Sequence, residues 1–410
     1  MVYSRSNSMV PNDSAAGILP QEILIEILSA FRSSRSALKA CSLINKTWLH
    51  ACRVILFHSI DLTALLAKKD WLTVFVNMPL KIGDHVREIT IQNARLASES
   101  GPMRVLILFH FAASVTSLRL SNITISDFAH VTTVVSILKE LQSLSIQNVQ
   151  FDSNRLDFSE PVAPNKSFPH SLKSLYLYHV DLGLFFDWIH AHPIVPRLSK
   201  AYFGPLESCW KLRVVQYFLY ALPDNLSEIG FLFPDSPTAL YSQYGTTGGP
   251  MGSHVLSPSA HLQSIMNRHQ ARYGVPLNLN PLAFTGNLRN IRVHKFIPGE
   301  DRESNVCAIW SARLMINIKK GFRGRIVLDV EAKSVRAVDV LEIDWEFLED
   351  VFSDEVYDEV EAIVFLVLTD INISKLENLI SLKMPNSYAR GILRFEGANE
   401  TTFRPPTKVL

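Results

Sequence analysis

The sequence predicts an α/β protein in which a short helical module precedes a long array of strand-and-helix units. Between residues 18 and 31, apolar residues recur every three or four positions, which is typical of an amphipathic helix. Four later segments share one frame of alternating apolar residues, the pattern of a short strand with one buried face. The composition, 47% hydrophobic and 19% charged residues, indicates a chain that buries a large core.

The charge balance and the cysteines argue against several classes of protein. Forty basic and 39 acidic residues leave a net charge of +1, so no partner among nucleic acids or membranes is expected. The four cysteines lack CxxC spacing, which argues against a structural zinc site and against a disulfide framework. Neither a signal peptide nor a membrane span is expected. A cytoplasmic or nuclear location is therefore predicted.

Residues 1–16 are polar and are predicted to form a disordered tail, whereas residues 17–61 are predicted to form the helical module. Pro20 lies where a helix can begin, because its missing N–H is not needed in the first turn. Leu19, Ile23 and Ile27 then recur every four residues. This apolar stripe is wider than so small a unit can cover by itself, which predicts that the module docks on another protein.

The helical module closely resembles the F-box motif. The resemblance rests on Leu-Pro-x-Glu-Ile-Leu-x-Glu-Ile-Leu from residue 19, Cys-Ser-Leu-Ile-x-Lys-x-Trp from residue 41, and Leu-Phe at residues 56 and 57. It implies a three-helix module that docks on a Skp1-like adaptor and, through the adaptor, joins a cullin–RING ubiquitin ligase. The alternative is an ordinary helical hairpin that caps a larger fold. The residues that the resemblance assigns to module packing or adaptor contact are Leu19, Pro20, Ile23, Ile27, Leu43, Ile44 and Trp48.

A helical connector is predicted over residues 62–85, followed by a repeat domain over residues 86–396 with a loop insert at about 234–258 and a tail at 397–410. The four segments of the shared frame carry apolar residues at positions 1, 3, 6 and 8 and Asn or His at position 5. No single unit can bury its own apolar face, so neighbouring units are expected to stack. The four segments begin at Ile89, Leu118, Leu144 and Leu175.

The frame resembles a degenerate leucine-rich repeat. Its asparagine comes one residue earlier than in the usual pattern, which argues against a regular asparagine ladder. Together the two resemblances predict an N-terminal three-helix F-box module followed by an irregular leucine-rich-repeat-like α/β solenoid. The alternative is a sheet domain with coincidental alternation. Fainter copies, which keep only the leading apolar positions, begin at Leu198, Leu226, Leu288, Val338, Val360 and Leu379.

Residues between the buried positions of these strands are expected on the exposed face of the sheet. Tyr and Arg are enriched in binding hot spots, so this face is predicted to bind a protein target. The alternative is that these side chains are merely solvated. The candidate target-binding residues are Arg119, Gln147, Tyr176, Tyr178, Tyr202, Arg292 and His294.

The sequence offers no convincing catalytic or metal site. GxSxG, HExxH, GxGxxG and Walker-type sequences are absent, and His190 and His192 lack a third ligand in a recognisable register. No cofactor or metal is predicted. Residues 342–361 hold ten acidic residues and no Lys or Arg, which indicates either a solvated helix face or a patch that attracts a basic partner.

These expectations favour a substrate-recognition subunit of an SCF-type (Skp1–cullin–F-box) E3 ubiquitin ligase. The chain itself is not expected to be an enzyme, because catalysis would take place in partner subunits. One alternative is a non-catalytic F-box and leucine-rich-repeat interaction protein that acts outside a ligase. The other is an enzyme built on an unrecognised α/β fold.

Overall fold

The computed structural model describes the helical module, eleven strands and the helices named below. The described ranges are residues 19–63, 80–94, 113–125, 128–151, 168–190, 196–206, 225–233, 287–299, 322–341, 345–353 and 357–398, with a few isolated positions besides.

Three short helices open the described chain: α1 (Gln21–Ser29), α2 (Arg35–Cys41) and α3 (Lys46–Leu56). Side-chain caps start the second and third helices, since the Ser34 hydroxyl accepts from the N–H of Ala37 and the Asn45 side chain accepts from the N–H of Trp48. The helices enclose a small core of their own, formed by Leu24, Leu28, Leu38, Ala51 and Cys52.

Eleven parallel strands form one sheet, and their spatial order is their order in the sequence. Among the described residues, each strand therefore pairs with the strands that directly precede and follow it. The strands are β1 (Ser59–Asp61), β2 (Glu88–Gln92), β3 (Ser117–Ile125), β4 (Ser143–Phe151), β5 (Ser174–Tyr178), β6 (Lys200–Gly204), β7 (Glu228–Leu232), β8 (Asn290–Ile297), β9 (Arg325–Val330), β10 (Ala362–Val367) and β11 (Leu393–Gly397).

Helices lie in the connections between consecutive strands and cover one face of the sheet. Phe128 of the first of these helices contacts Phe151, Phe185 and Trp188 edge to face, at ring-centroid distances of 5.9, 4.9 and 6.1 Å. The helices are α4 (Phe128–Ile137), α5 (Leu182–His190), α6 (Val335–Val340), α7 (Trp345–Ser353), α8 (Ile373–Lys383) and α9 (Pro385–Ala389), with a 3-10 helix at Leu80–His85 before β2.

The main core lies between this helix-covered face and the helices. One row of apolar side chains runs across the sheet in register, so each strand contributes one residue that its neighbours cover. From β2 to β11 the row consists of Ile89, Leu118, Leu144, Leu175, Ala201, Ile229, Ile291, Ile326, Ile363 and Leu393.

The predicted α/β class is confirmed, whereas the resemblances to the F-box and to leucine-rich repeats stay predictions.

Residues with positive φ explain why the apolar positions of the repeat frame are 1, 3, 6 and 8 and do not alternate strictly. Leu118 and Leu120 point into the core, so strict alternation along the strand would place Ile123 on the opposite face. Asn122 adopts a left-handed conformation at φ +52°, which interrupts the alternation, and Ile123 is therefore buried in the core. Asn and His tolerate this left-handed conformation better than most residues. The residues with this conformation are Asn93, Asn122, Asn148, His179 and Lys295, at φ values of 50–54°.

An asparagine ladder is present after all. The Asn122 amide donates to the Asn93 side-chain oxygen at 3.1 Å, and the Asn148 amide donates to that of Asn122 at 2.9 Å. The expectation that the one-residue offset would remove the ladder was wrong. All three residues share the same left-handed backbone, so their side chains leave successive strands in the same direction.

The fainter repeats gave mixed results. Strands β6, β7, β8 and β10 confirm four of them, but the copies at Val338 and Leu379 were wrong because those residues lie in α6 and α8. Their spacing of three apolar positions fits a helix as well as the frame. The sequence also missed β9, because Arg323 occupies the position where the frame expects an apolar residue.

Several predicted segments lie outside the described residues. They include the tail at 1–16, most of the connector, the loop insert, His192 and all but the first two residues of the terminal tail. The domain boundaries therefore stay predictions. Within the described part of the chain, no helix is long and apolar enough to cross a membrane.

Candidate functional site

One surface of the helical module is strongly apolar. Six large apolar side chains there are between 41% and 86% exposed, with Leu43 the most exposed. On α1, Ile23 and Ile27 point outward while Leu24 and Leu28 fill the small core, so the helix is apolar on two sides. This surface, called the apolar face below, consists of Leu19, Ile23, Ile27, Phe31, Leu43 and Ile44.

The sequence-predicted adaptor residues map onto this face with one exception. Pro20 is exposed beside Leu19 at the start of α1, but Trp48 is half-buried and packs against the module core. Leu43 and Ile44 occupy the tight turn between α2 and α3, where their N–H groups donate to the carbonyls of Ala40 and Cys41 at 3.1 and 3.2 Å. Exposed apolar side chains on a fixed turn can bind an apolar partner surface without rearrangement.

The face of the sheet opposite the core is polar, and its β2–β5 part is partly exposed: Thr90, Ser145 and Tyr176 keep partial access to solvent, whereas Ser121, Gln147 and Tyr178 are buried. Arg119 is exposed, and its Nη2 donates to Oε1 of Gln147 at 3.3 Å. Gln147 is buried and in turn donates to the Ser145 hydroxyl at 2.9 Å. This part of the face can offer hydrogen bonds and one cation to a partner.

Next to it, three tyrosines cover the middle of the sheet. The rings of Tyr176 and Tyr202 stack at a centroid distance of 4.8 Å, and Tyr178 packs in the same cluster. Gly230 makes this possible, because a Cβ there would overlap the Tyr202 ring. The Tyr202 hydroxyl donates to Glu228, and burial together with that carboxylate raises the pKa of Tyr202.

The Glu228 carboxylate, which accepts from Tyr202, also binds a lysine. Lys200 Nζ lies 2.9 Å from its carboxylate, and this hydrogen bond raises the pKa of Lys200. The carboxylate on β7 thus joins an exposed cation and a buried phenol that both belong to the adjacent strand β6.

A buried ion-pair network lies on the same face at β8 and β9. Asp329 accepts two hydrogen bonds from Arg292, at 2.8 Å from Nε and 3.1 Å from Nη2. Nδ1 of His294 lies 2.8 Å from the same carboxylate. Burial lowers the pKa of His294 and outweighs the opposing effect of Asp329, so His294 is neutral and donates through Nδ1–H.

The predicted exposure of most candidate target-binding residues was wrong. Only Arg119 and Tyr176 keep access to solvent. Tyr202, Arg292 and His294 are buried against carboxylates that the pattern did not reveal. Glu228 was not singled out, and Asp329 comes from the strand that the frame missed. An acidic residue in a strand otherwise made of apolar residues is the signal that could have identified it. The five buried candidates are Gln147, Tyr178, Tyr202, Arg292 and His294.

Histidines meet where the module joins the sheet. The rings of His50 on α3 and His85 on the 3-10 helix lie edge to face at 5.0 Å, and His58 Nε2 lies 3.7 Å from Glu88. Burial lowers the pKa of both His85 and His58, and nearby cationic groups lower it further. The junction therefore favours the neutral forms of His58 and His85.

The acidic stretch is partly used inside the protein. Glu349 is buried and accepts from the Ser387 N–H at 3.1 Å, while Arg323 binds Glu359 at 2.5 Å and Arg390 binds Asp358 at 3.1 Å. Arg323 and Arg390 thus partly neutralise the stretch. Binding of a basic partner there stays a prediction.

No group of three or more His, Cys, Asp or Glu side chains in the described residues is arranged to hold a metal ion. In comparisons with known proteins, no family model matches the sequence. No curated protein shows significant similarity to it either.

Proposed function

We propose that this chain is a substrate-recognition subunit of an SCF-type E3 ubiquitin ligase. Its F-box-like module docks on a Skp1-like adaptor, and its sheet presents a protein target to catalytic partner subunits. The observation that carries the proposal is the apolar face, which leaves six large apolar side chains exposed on a module with its own small core.

The apolar face is large enough to support docking. Full burial of one large apolar side chain contributes about 1.5–3 kcal/mol. Association of two proteins costs about 4–15 kcal/mol in lost translational and rotational freedom. Burial of the six partly exposed side chains offsets this cost only if the partner covers most of them at once. This requirement favours one extended apolar partner surface over a small ligand.

A receptor must also hold a second protein elsewhere. The partly exposed β2–β5 face lies on the sheet, which has a hydrophobic core separate from that of the module. Two surfaces on two independently packed parts support a linking role, in which one partner is held without displacing the other.

Leu43→Glu tests the adaptor contact. Leu43 is 86% exposed, so the substitution leaves the fold intact but places a charge in the docking surface. We expect co-purification with a Skp1-type adaptor to weaken at least about tenfold, because more than 1.4 kcal/mol of apolar burial is lost. The measurement is adaptor affinity by isothermal titration calorimetry.

Leu382→Glu is the matched control, since Leu382 is 80% exposed on α8, far along the chain from the module. It should bind the adaptor like the wild type. Equal binding by all three proteins, or no adaptor binding by the wild type, would reject the proposal. A stable adaptor complex that never recruits a cullin would instead favour an interaction protein outside a ligase.

A further inference from the structure

Cations on the sheet face fall into two groups. Lys200, Arg292 and Arg325 each bind a carboxylate, at 2.9, 2.8 and 2.5 Å respectively. Arg119 on β3 and Arg394 on β11 bind no carboxylate among the described residues, and the one hydrogen bond of Arg119 goes to the neutral amide of Gln147. The positive charge of Arg119 is therefore left uncompensated within the described part of the face.

The surroundings of Arg119 are mostly polar and neutral. In the Arg119 row and the row after it, the described residues of β2–β5 carry hydroxyl, phenol and amide groups and no carboxylate. The row before it holds one carboxylate, that of Glu88 on β2, which lies 3.7 Å from His58 Nε2. The neighbouring Asp61 on β1 is already engaged by Gln92 at 3.1 Å and by the N–H of Thr63 at 2.9 Å. Besides Arg119 itself, the members of the Arg119 row and the row after it are Thr90, Gln92, Ser121, Ser145, Gln147, Tyr176 and Tyr178.

Arg119 is also held in position. Buried Gln147 accepts from Nη2 while its own amide is fixed by Ser145, so the guanidinium is anchored at one nitrogen. Its Nε and Nη1 donors have no partner among the described residues. A guanidinium with free donors in one plane matches the two oxygens of a carboxylate.

An aromatic surface lies within reach on the same row. Tyr176 is two strands from Arg119, which corresponds to about 10 Å at the usual strand spacing. Its ring is stacked on Tyr202, so it presents a supported edge to a bound apolar side chain.

We infer that Arg119 anchors the bound target by receiving an Asp or Glu carboxylate, so the target segment is acidic, with an apolar side chain beside it on Tyr176. This inference rests on the proposed function, because it names the chemistry of the protein that the sheet would present. An acidic segment is selected because its carboxylate complements the uncompensated charge of the Arg119 guanidinium, which Gln147 holds in position.

The experiment uses the full chain and immobilised 15-residue peptides. Three sets share randomised flanks and differ only at the central residue, which is Glu, Gln or phosphoserine. We expect the Glu set to be retained about tenfold more strongly than the Gln set, as a charge-assisted hydrogen-bonded pair would produce. Equal retention of Glu and Gln, or stronger retention of phosphoserine than Glu, overturns the inference.

Three variants locate the effect. Arg119→Gln should abolish the preference for Glu, and Arg119→Lys should reduce it because lysine keeps the charge but not the planar fork. Arg394→Gln is the matched control, since Arg394 is an exposed arginine in the same outward row at β11, and it should keep the preference. A preference that survives Arg119→Gln contradicts the assignment.

Adaptor affinity is measured on the same preparations. Adaptor binding without a preference for Glu overturns the role of Arg119 and leaves the proposed function standing. A preference for Glu without adaptor binding rejects the ligase role and retains the acidic-segment site.

Discussion

At the scale of single residues, the most consequential side chain is Asp329. It is fully buried and compensates the charge of Arg292 while accepting from neutral His294. A buried charge without a partner is far more destabilising than an apolar residue in the same place. Asp329 therefore makes two otherwise unfavourable polar residues compatible with a buried position.

Asp329→Asn should lower the free energy of unfolding by about 3–5 kcal/mol, because it leaves the Arg292 guanidinium buried without a countercharge. Urea denaturation followed by circular dichroism measures the change. Glu359→Gln is the control, since it breaks the exposed pair with Arg323 and should cost less than about 1 kcal/mol. If both variants lost a similar free energy of unfolding, burial of the Arg292–Asp329 pair would not be the source of its stabilising effect.

The sequence identified one side of this network but not the other. Strand alternation correctly placed Arg292 and His294 on the face opposite the core, because facing depends only on local periodicity. Their burial depends on Asp329, which is 37 residues from Arg292 along the chain. Contacts between units at such a separation have no periodic signature.

At the scale of secondary structure elements, the left-handed residue inside each long strand sets the repeat. Asn122 returns the second half of β3 to the core and bonds to the equivalent residues of β2 and β4. The apolar positions 1, 3, 6 and 8 were therefore predictable from sequence. The reason why the apolar positions change from odd to even between positions 3 and 6 was not predictable, because the pattern of apolar residues gives no information about φ.

Asn122→Val should destabilise the protein by about 3–5 kcal/mol, since Asn122 takes part in two ladder hydrogen bonds. A β-branched residue at positive φ costs about 1–3 kcal/mol, and each lost ladder hydrogen bond costs about 1 kcal/mol. Urea denaturation measures the loss. Thr124→Val, two residues later in the same strand, should change stability by less than about 1 kcal/mol. A neutral Asn122→Val would show that the left-handed residue is not required.

At the scale of the whole molecule, the structure has two cores that meet at a histidine-rich junction. Residues of the module form one hydrophobic cluster, and the sheet with its helices forms another. The sequence predicted both parts, because each rests on its own periodicity. The junction was not predicted, since His50, His58 and His85 share no spacing.

Stability should fall as the pH drops below about 6.5. Burial lowers the pKa of His58, His85 and His294 from their ordinary value of 6.5, so the unfolded chain binds more protons as the pH falls through that value. We expect the melting temperature to decrease between pH 7.5 and pH 5.5. His85→Gln should show a shallower decrease.

The exposed His170 supplies the control for this titration. His170→Gln should keep the wild-type pH dependence, because this side chain lies on the surface. A melting temperature that is constant or rises from pH 7.5 to pH 5.5 would contradict the sign of the predicted effect.

The sequential strand order also bears on how the chain is made. Since each strand pairs only with its neighbours in sequence, a growing polypeptide always has a sheet edge onto which the next strand can add as it leaves the ribosome. None of the eleven described strands must wait for a distant partner. The helical module lies at the start of this order, so its apolar face would form before most of the sheet has been synthesised.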